Sequence, residues 1–129
     1  EFRKVYQFMA FSAHTPTQHA YAAIMKDKDL YLELAAFYED KRNLFQKAIN
    51  SSRFEILPCH GTYFQLLSYK GISEMPDEEF ARELTIKHKV ASIPISVFYL
   101  SKRDEQVLRF CFAKEDETLL KAAEILCKI

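Results

Sequence analysis

Val107-Leu108-Arg109-Phe110-Cys111-Phe112, followed by Ala113-Lys114-Glu115-Asp116-Glu117 and then Leu119-Leu120-Lys121-Ala122-Ala123, is the stretch that decides the fold. The first six residues alternate with a period of two, placing Leu108, Phe110 and Phe112 on one face and Val107, Arg109 and Cys111 on the other, as a strand requires. Glu115, Asp116 and Glu117 then favour the positive end of a helix, whose stripe of Leu119, Leu120, Ala123, Leu126 and Cys127 needs something apolar to lie on. A strand joined to an amphipathic helix by a few residues implies a sheet with helices packed against it. The rest of the chain supplies the other elements.

Upstream, Pro76 followed by Asp77, Glu78 and Glu79 starts a helix that ends on Lys87, His88 and Lys89, a charge order that suits both ends of the dipole. Val90 to Ile93 reads as a short strand. Arg53 to Leu57 and Tyr63 to Leu67 are rich in strand formers and flank Pro58-Cys59-His60-Gly61, so a hairpin is expected. From Leu30 to Ile49, Leu30, Leu34, Phe37, Leu44, Phe45 and Ala48 recur at helical spacing, predicting one helix roughly 30 Å long. Thr15-Pro16-Thr17-Gln18 predicts a helix start with Thr15 as N-cap, Pro16 at the first helical position and Gln18 closing a capping box, the helix running to about Met25. The predicted class is α+β, a small mostly antiparallel or mixed sheet with helices against it.

Composition narrows the function. The 129 residues are 49% hydrophobic and carry 18 basic and 18 acidic side chains, so one core is affordable and no basic field exists to gather nucleic acid or an anionic membrane. No apolar run approaches the roughly 20 residues of a membrane span, and Glu1-Phe2-Arg3-Lys4 does not open a signal peptide. The 3 cysteines, Cys59, Cys111 and Cys127, lack C-x-x-C spacing, which argues against a disulfide framework or a zinc site and for the cytoplasm. With 2 glycines, Gly61 and Gly71, neither a Walker loop nor a dinucleotide fingerprint can be built.

Arg109 is the residue that composition cannot absorb. A lone guanidinium in an apolar strand must find a carboxylate, a phosphate or water, and on spacing alone a structural ion pair is the first expectation. Cys111, on the same predicted face, is read as a buried small hydrophobe. Tyr63, Phe64, Phe98 and Tyr99 suit an apolar pocket, and suit plain core better. Cys59 and His60 are adjacent, so their side chains diverge on an extended backbone, and no orienting residue completes a thiol triad. His14 and His19 are poorly spaced for a metal, and none is expected.

Four stretches, in order, resemble the class I/II (fold-type I) aminotransferases, especially the kynurenine, glutamine and methionine transaminase branch: Gln7 to Gln18 (QFMAFSAHTPTQ), Leu57 to Phe64 (LPCHGTYF), Val90 to Tyr99 (VASIPISVFY) and Leu108 to Leu119 (LRFCFAKEDETL). The last is the most specific, because a strand of pattern I/L-R-F/L-x-F-A before an acidic helix start is where such enzymes keep the arginine that binds the substrate carboxylate. The resemblance therefore implies that Arg109 is substrate-binding, with Phe98, Tyr63 and His14 as pocket-lining candidates. It implies pyridoxal 5'-phosphate as cofactor, amino acids and 2-oxo acids as substrates, and a homodimer.

The resemblance also places the Schiff-base lysine upstream of this chain, so no catalytic lysine and no bound cofactor are expected on these residues alone. Residues 1–27 correspond to the tail of the large cofactor-binding domain and 28–129 to the small C-terminal domain that closes over substrate. One departure stands out: the branch usually reads S-V-N-T-P where this chain has Ser12-Ala13-His14-Thr15-Pro16, with His14 in place of Asn. The competing reading is a free-standing ligand-binding or regulatory module that keeps the arginine and lacks catalysis. A third, a thiol enzyme using Cys59, has the weaker basis given above.

Overall fold

The structure, a computed structural model, describes residues 1–10 and 12–129; Phe11, inside the first of the four resembling stretches, lies outside them. The chain divides into two compact units, Glu1–Ala35 and Ala36–Ile129. The first contains helices α1 (Phe2–Met9), α2 (Thr15–Ile24) and α3 (Asp29–Leu32). Helix α1 was not anticipated from the sequence, although Phe2, Val5, Tyr6 and Met9 recur at helical spacing; all four are exposed.

At α2 the N-cap is His14, one residue earlier than Thr15, and Pro16 lies in the first two helical positions. The His14 ring caps no backbone N–H; its Nδ1 lies 2.9 Å from the Thr17 hydroxyl. Gln18 donates to the Ala13 carbonyl at 3.0 Å, so the capping box does not form as expected. The single helix predicted from Leu30 to Ile49 is also interrupted: α3 ends at Leu32 and α4 runs Leu34–Ile49. Glu33 between them has ψ −8°, well off the helical value near −42°, which breaks the hydrogen-bond ladder there. Periodicity counts apolar residues but not what they rest on, and Leu30, Leu32 and Leu34 are exposed.

The second unit holds a four-stranded sheet of β1 (Glu55–Ile56), β2 (Phe64–Ser68), β3 (Ile93–Pro94) and β4 (Val107–Cys111), in the order β1-β2-β4-β3 with every neighbouring pair antiparallel. The predicted hairpin is the β1/β2 pair. The third strand is shorter and later than expected, because Val90 instead closes the turn after α5 (Asp77–His88): Lys89 is left-handed at φ 61° and the Val90 N–H reaches back to the Leu84 carbonyl. Pro76 is the N-cap of α5, and α6 (Asp116–Leu126) follows β4.

One face of the sheet and helices α4, α5 and α6 share a single core. Leu67, Leu108, Phe110 and Phe112 from the sheet side meet Phe45 and Ile49 of α4, Phe80 and Leu84 of α5, and Leu119, Ala123 and Leu126 of α6. Gln65 also points inward. Its amide nitrogen satisfies the Leu57 and Leu66 carbonyls, and its oxygen accepts from Gln46, so the buried group is fully used. Leu120, predicted on the apolar stripe of α6, is exposed. The α+β class read from the sequence stands. Among the described residues no helix is long and apolar enough to cross a membrane.

Candidate functional site

The other face of the sheet is only half-buried, and Arg109 sits in its middle. Pairing places Arg109 opposite Leu66 of β2 and opposite Ile93 of β3, so apolar side chains flank it in both neighbouring strands. Phe64 lies two residues from Leu66 on the same face, diagonal to Arg109, within reach for an aromatic side chain. The guanidinium carbon lies 4.1 Å from the centroid of the Phe64 ring and 4.6 Å from that of Phe98. Phe98 comes from a different element, the 3-10 turn Ser96–Phe98 that follows β3.

Arg109 makes no ion pair among the described residues. Its Nε is buried and has no hydrogen-bond partner among the described residues. The structural ion pair expected from spacing alone is therefore absent. What stabilises the side chain instead is contact with two aromatic rings, worth roughly 0.5–2 kcal/mol per cation–π pair. Rings over a guanidinium leave its in-plane N–H donors uncommitted, and those donors form the fork that matches a carboxylate with two parallel hydrogen bonds.

The aromatic residues expected as core are not core. Phe98 is 57% exposed, Tyr63 45% and Tyr99 39%, with Phe64 half-buried. Tyr63 stacks obliquely on Phe64 at 4.5 Å between centroids and meets Tyr38 of α4 at 5.8 Å, while Tyr38 meets Phe37 at 5.2 Å. Structure thus joins Arg109, Phe98 and, through Phe64, Tyr63. His14 belongs to the unit Glu1–Ala35.

The remaining candidates have ordinary roles. The Cys59 thiol faces the Gly61 and Phe64 carbonyls, each at 3.3 Å, and His60 is exposed with no bond to it. Cys111 is half-buried beside Phe64, its register partner, and His88 ends α5. Among the described residues no three His, Cys, Asp or Glu side chains are grouped to hold a metal.

Two residues of consequence were missed in the sequence. Asp77, read only as a charge at a helix start, is 2% exposed, and Ser96, not singled out, is 4% exposed. The Ser96 N–H donates to Asp77 Oδ2 at 2.8 Å and the Ser96 hydroxyl to Oδ1 at 2.7 Å. The available signal was an Asp directly after Pro76 combined with a Ser two residues before an aromatic, too weak to read without the contact.

The description "Aminotransferase class I and II" is that of the family model matching residues 1–126. The methionine aminotransferase of Escherichia coli (strain K12) is 47% identical over 127 residues, covering 98% of this chain and 33% of that protein. The kynurenine–oxoglutarate transaminase of Dictyostelium discoideum is 32% identical over 146 residues, 96% of this chain and 34% of its own length. Among solved structures, YbdL from Escherichia coli, described as having a methionine aminotransferase function, superposes with TM-score 0.92 at 46% identity over 98% of this chain and 34% of that one. N-Succinyldiaminopimelate aminotransferase from Mycobacterium tuberculosis gives TM-score 0.83 at 26% identity over 95% of this chain and 32% of that one. The chain spans about a third of the length of these relatives. With the family model matched over nearly its whole length and a solved structure of 46% identity superposing on it, this chain belongs to the aminotransferase class I and II family.

Proposed function

We propose that this chain is the substrate-closing part of a pyridoxal-phosphate-dependent aminotransferase, and that Arg109 binds the α-carboxylate of the amino acid and of the 2-oxo acid. The observation that carries the reading is a guanidinium clamped by Phe64 and Phe98, unpaired with any described carboxylate, with a buried Nε that lacks a partner. Leaving such a donor unmet costs about 1–3 kcal/mol; the terminal Nη groups, unlike Nε, are not buried and are the donors left for charge-assisted hydrogen bonds to a carboxylate. A two-point grip fixes the rotation of the substrate about its Cα–carboxylate bond, which orients the Cα–H bond for proton removal. The rings exclude water around the ion pair and so strengthen it.

Members of this family are pyridoxal-phosphate-dependent, and the residues of this chain do not by themselves fit that group. Every described lysine is exposed except Lys41, and Lys41 is paired with Asp116 at 2.5 Å. None has the desolvated setting that an imine-forming amine requires. In this reading the cofactor and its lysine belong to the remainder of the complete enzyme, a cytoplasmic homodimer. Residues 1–27 continue the large domain and 28–129 form the small one. Phe98 and Tyr63 line the substrate pocket; of the donors methionine, glutamine and an aromatic amino acid, the apolar Phe37, Tyr38 and Tyr63 surface suits methionine and the aromatic ones.

The test is Arg109→Ala in the complete enzyme, assayed with methionine and with its decarboxylated amine. Removing one member of a desolvated charge pair costs roughly 3–5 kcal/mol, so kcat/KM for the amino acid is expected to fall about a hundred- to several-thousandfold while cofactor binding holds. A variant with near-normal kcat/KM for α-amino acids makes Arg109 a structural strand residue and removes the basis of the reading.

A further inference from the structure

The clamp on Arg109 has two halves of unequal security. Phe64 is set by the β2/β4 ladder, where Leu66 is locked opposite Arg109. Phe98 has no such support: it is 57% exposed and ends a 3-10 turn closed by single bonds, Phe98 N–H to the Ile95 carbonyl at 3.1 Å and Tyr99 N–H to the Ser96 carbonyl at 3.0 Å. Short 3-10 turns have poor hydrogen-bond geometry and hold their shape only when anchored. The anchor is at Ser96, where the backbone N–H and the hydroxyl both donate to the Asp77 carboxylate.

That carboxylate is itself held in place. The Asp77 N–H donates to Asp104 Oδ2 at 2.9 Å, and Asp104 Oδ1 accepts the Gln106 N–H at 2.7 Å. The Gln106 side chain donates to the Ser73 carbonyl, and the Tyr69 hydroxyl donates to the Met75 carbonyl at 2.8 Å. The start of α5 is thereby tied to the end of β2 and to the loop before β4. A nearly buried carboxylate is costly unless its lone pairs are used, and both oxygens of Asp77 are spent on one residue, two positions before the ring that covers Arg109.

From this geometry we infer that Asp77 is a positioning residue for carboxylate recognition: acting through Ser96, it holds Phe98 against the Arg109 guanidinium so that the arginine presents its fork edge-on to substrate. The inference rests on the carboxylate-binding role proposed for Arg109. A simple scaffolding role for Asp77 would lower stability and leave the effect of Phe98 untouched. A positioning role makes the two residues act as one.

The experiment is a double-mutant cycle in the complete enzyme, read as the calorimetric dissociation constant of hexanoate, a carboxylate that cannot be transaminated, alongside KM and kcat for methionine. Phe98→Ala and Asp77→Ala are each expected to weaken hexanoate binding about tenfold, with KM moving more than kcat. In the Phe98→Ala background, Asp77→Ala is expected to add less than about twofold. Asp77→Asn should restore most of the affinity, because its Oδ1 accepts the Ser96 N–H and its Nδ2 donates to the Ser96 hydroxyl oxygen. Equal losses from Asp77→Ala with and without Phe98 overturn the inference.

If Asp77→Ala does not fold, Ser96→Ala takes its place, since it removes one of the two bonds and leaves the carboxylate seated. It is expected to cost about threefold alone and less than about 1.5-fold once Phe98 is gone. A Ser96→Ala loss of the same size in both backgrounds, or no loss at all, overturns the inference. Arg109→Ala separates the two levels. If it leaves hexanoate binding intact, the carboxylate reading and the inference both fall; if it abolishes binding while Asp77 and Phe98 remain additive, the inference falls alone.

Discussion

Arg109 and Phe64 lie diagonally across the β2/β4 pair, and the guanidinium carbon is 4.1 Å from the ring centroid. The contact is a consequence of register. A one-residue slip of either strand would turn one of the two side chains toward the core and separate them. The buried face beneath, with Leu67 opposite Leu108 and both fully buried, is what forbids the slip. The core therefore sets the geometry of the ligand face.

Substituting Arg109 by Lys tests whether orientation matters beyond charge. An ammonium neutralises a carboxylate without offering a planar fork and stacks less well between rings. Arg109→Lys is expected to recover less than about a tenth of the kcat/KM lost in Arg109→Ala. Full recovery, measured by steady-state kinetics with methionine, would show that a point charge suffices.

Tyr69 offers a pH test of the frame behind the site. Burial, and then the nearby carboxylates of Asp104 and Asp77, push its phenol well above the ordinary value of 10.0. The phenol is protonated in the folded chain at pH values where an unfolded chain would ionise. Its stabilising contribution is therefore whole below about pH 10 and is lost as pH climbs toward the raised folded value. In a phenolate absorbance titration the wild-type protein should show a late tyrosine step that coincides with unfolding. Tyr69→Phe should lack that step, and should lose about 1 kcal/mol at neutral pH with the bond to Met75. A Tyr69→Phe titration curve superposing on the wild type refutes this.

His14 occupies an N-cap and caps nothing on the backbone. Asn in that place can accept from the backbone N–H groups of the first turn, and His14→Asn should stabilise α2 by about 1 kcal/mol. Circular dichroism of a peptide covering residues 12–26, with His or Asn at position 14, measures this directly. Equal helicity in the two peptides would mean that the bond to Thr17 serves equally well.

The sequence by itself determined the alternation over Val107 to Phe112, the hairpin around Pro58-Cys59-His60-Gly61, and the helices opened by Pro76 and by Glu115, because each is written in neighbours within a few residues. It also marked Arg109, since a guanidinium among apolar strand residues is anomalous whatever surrounds it. The interruption at Glu33 and the exposure of Leu120 were not legible, as both depend on what the apolar residues rest against rather than on their spacing. Tertiary structure alone decided that Arg109 has rings and not a carboxylate for neighbours, because Phe64 reaches it across a strand pair and Phe98 through a turn. The Asp77 to Ser96 bonds span 19 residues of sequence, and no local pattern encodes a contact between two groups that meet only once α5 and the turn after β3 have packed.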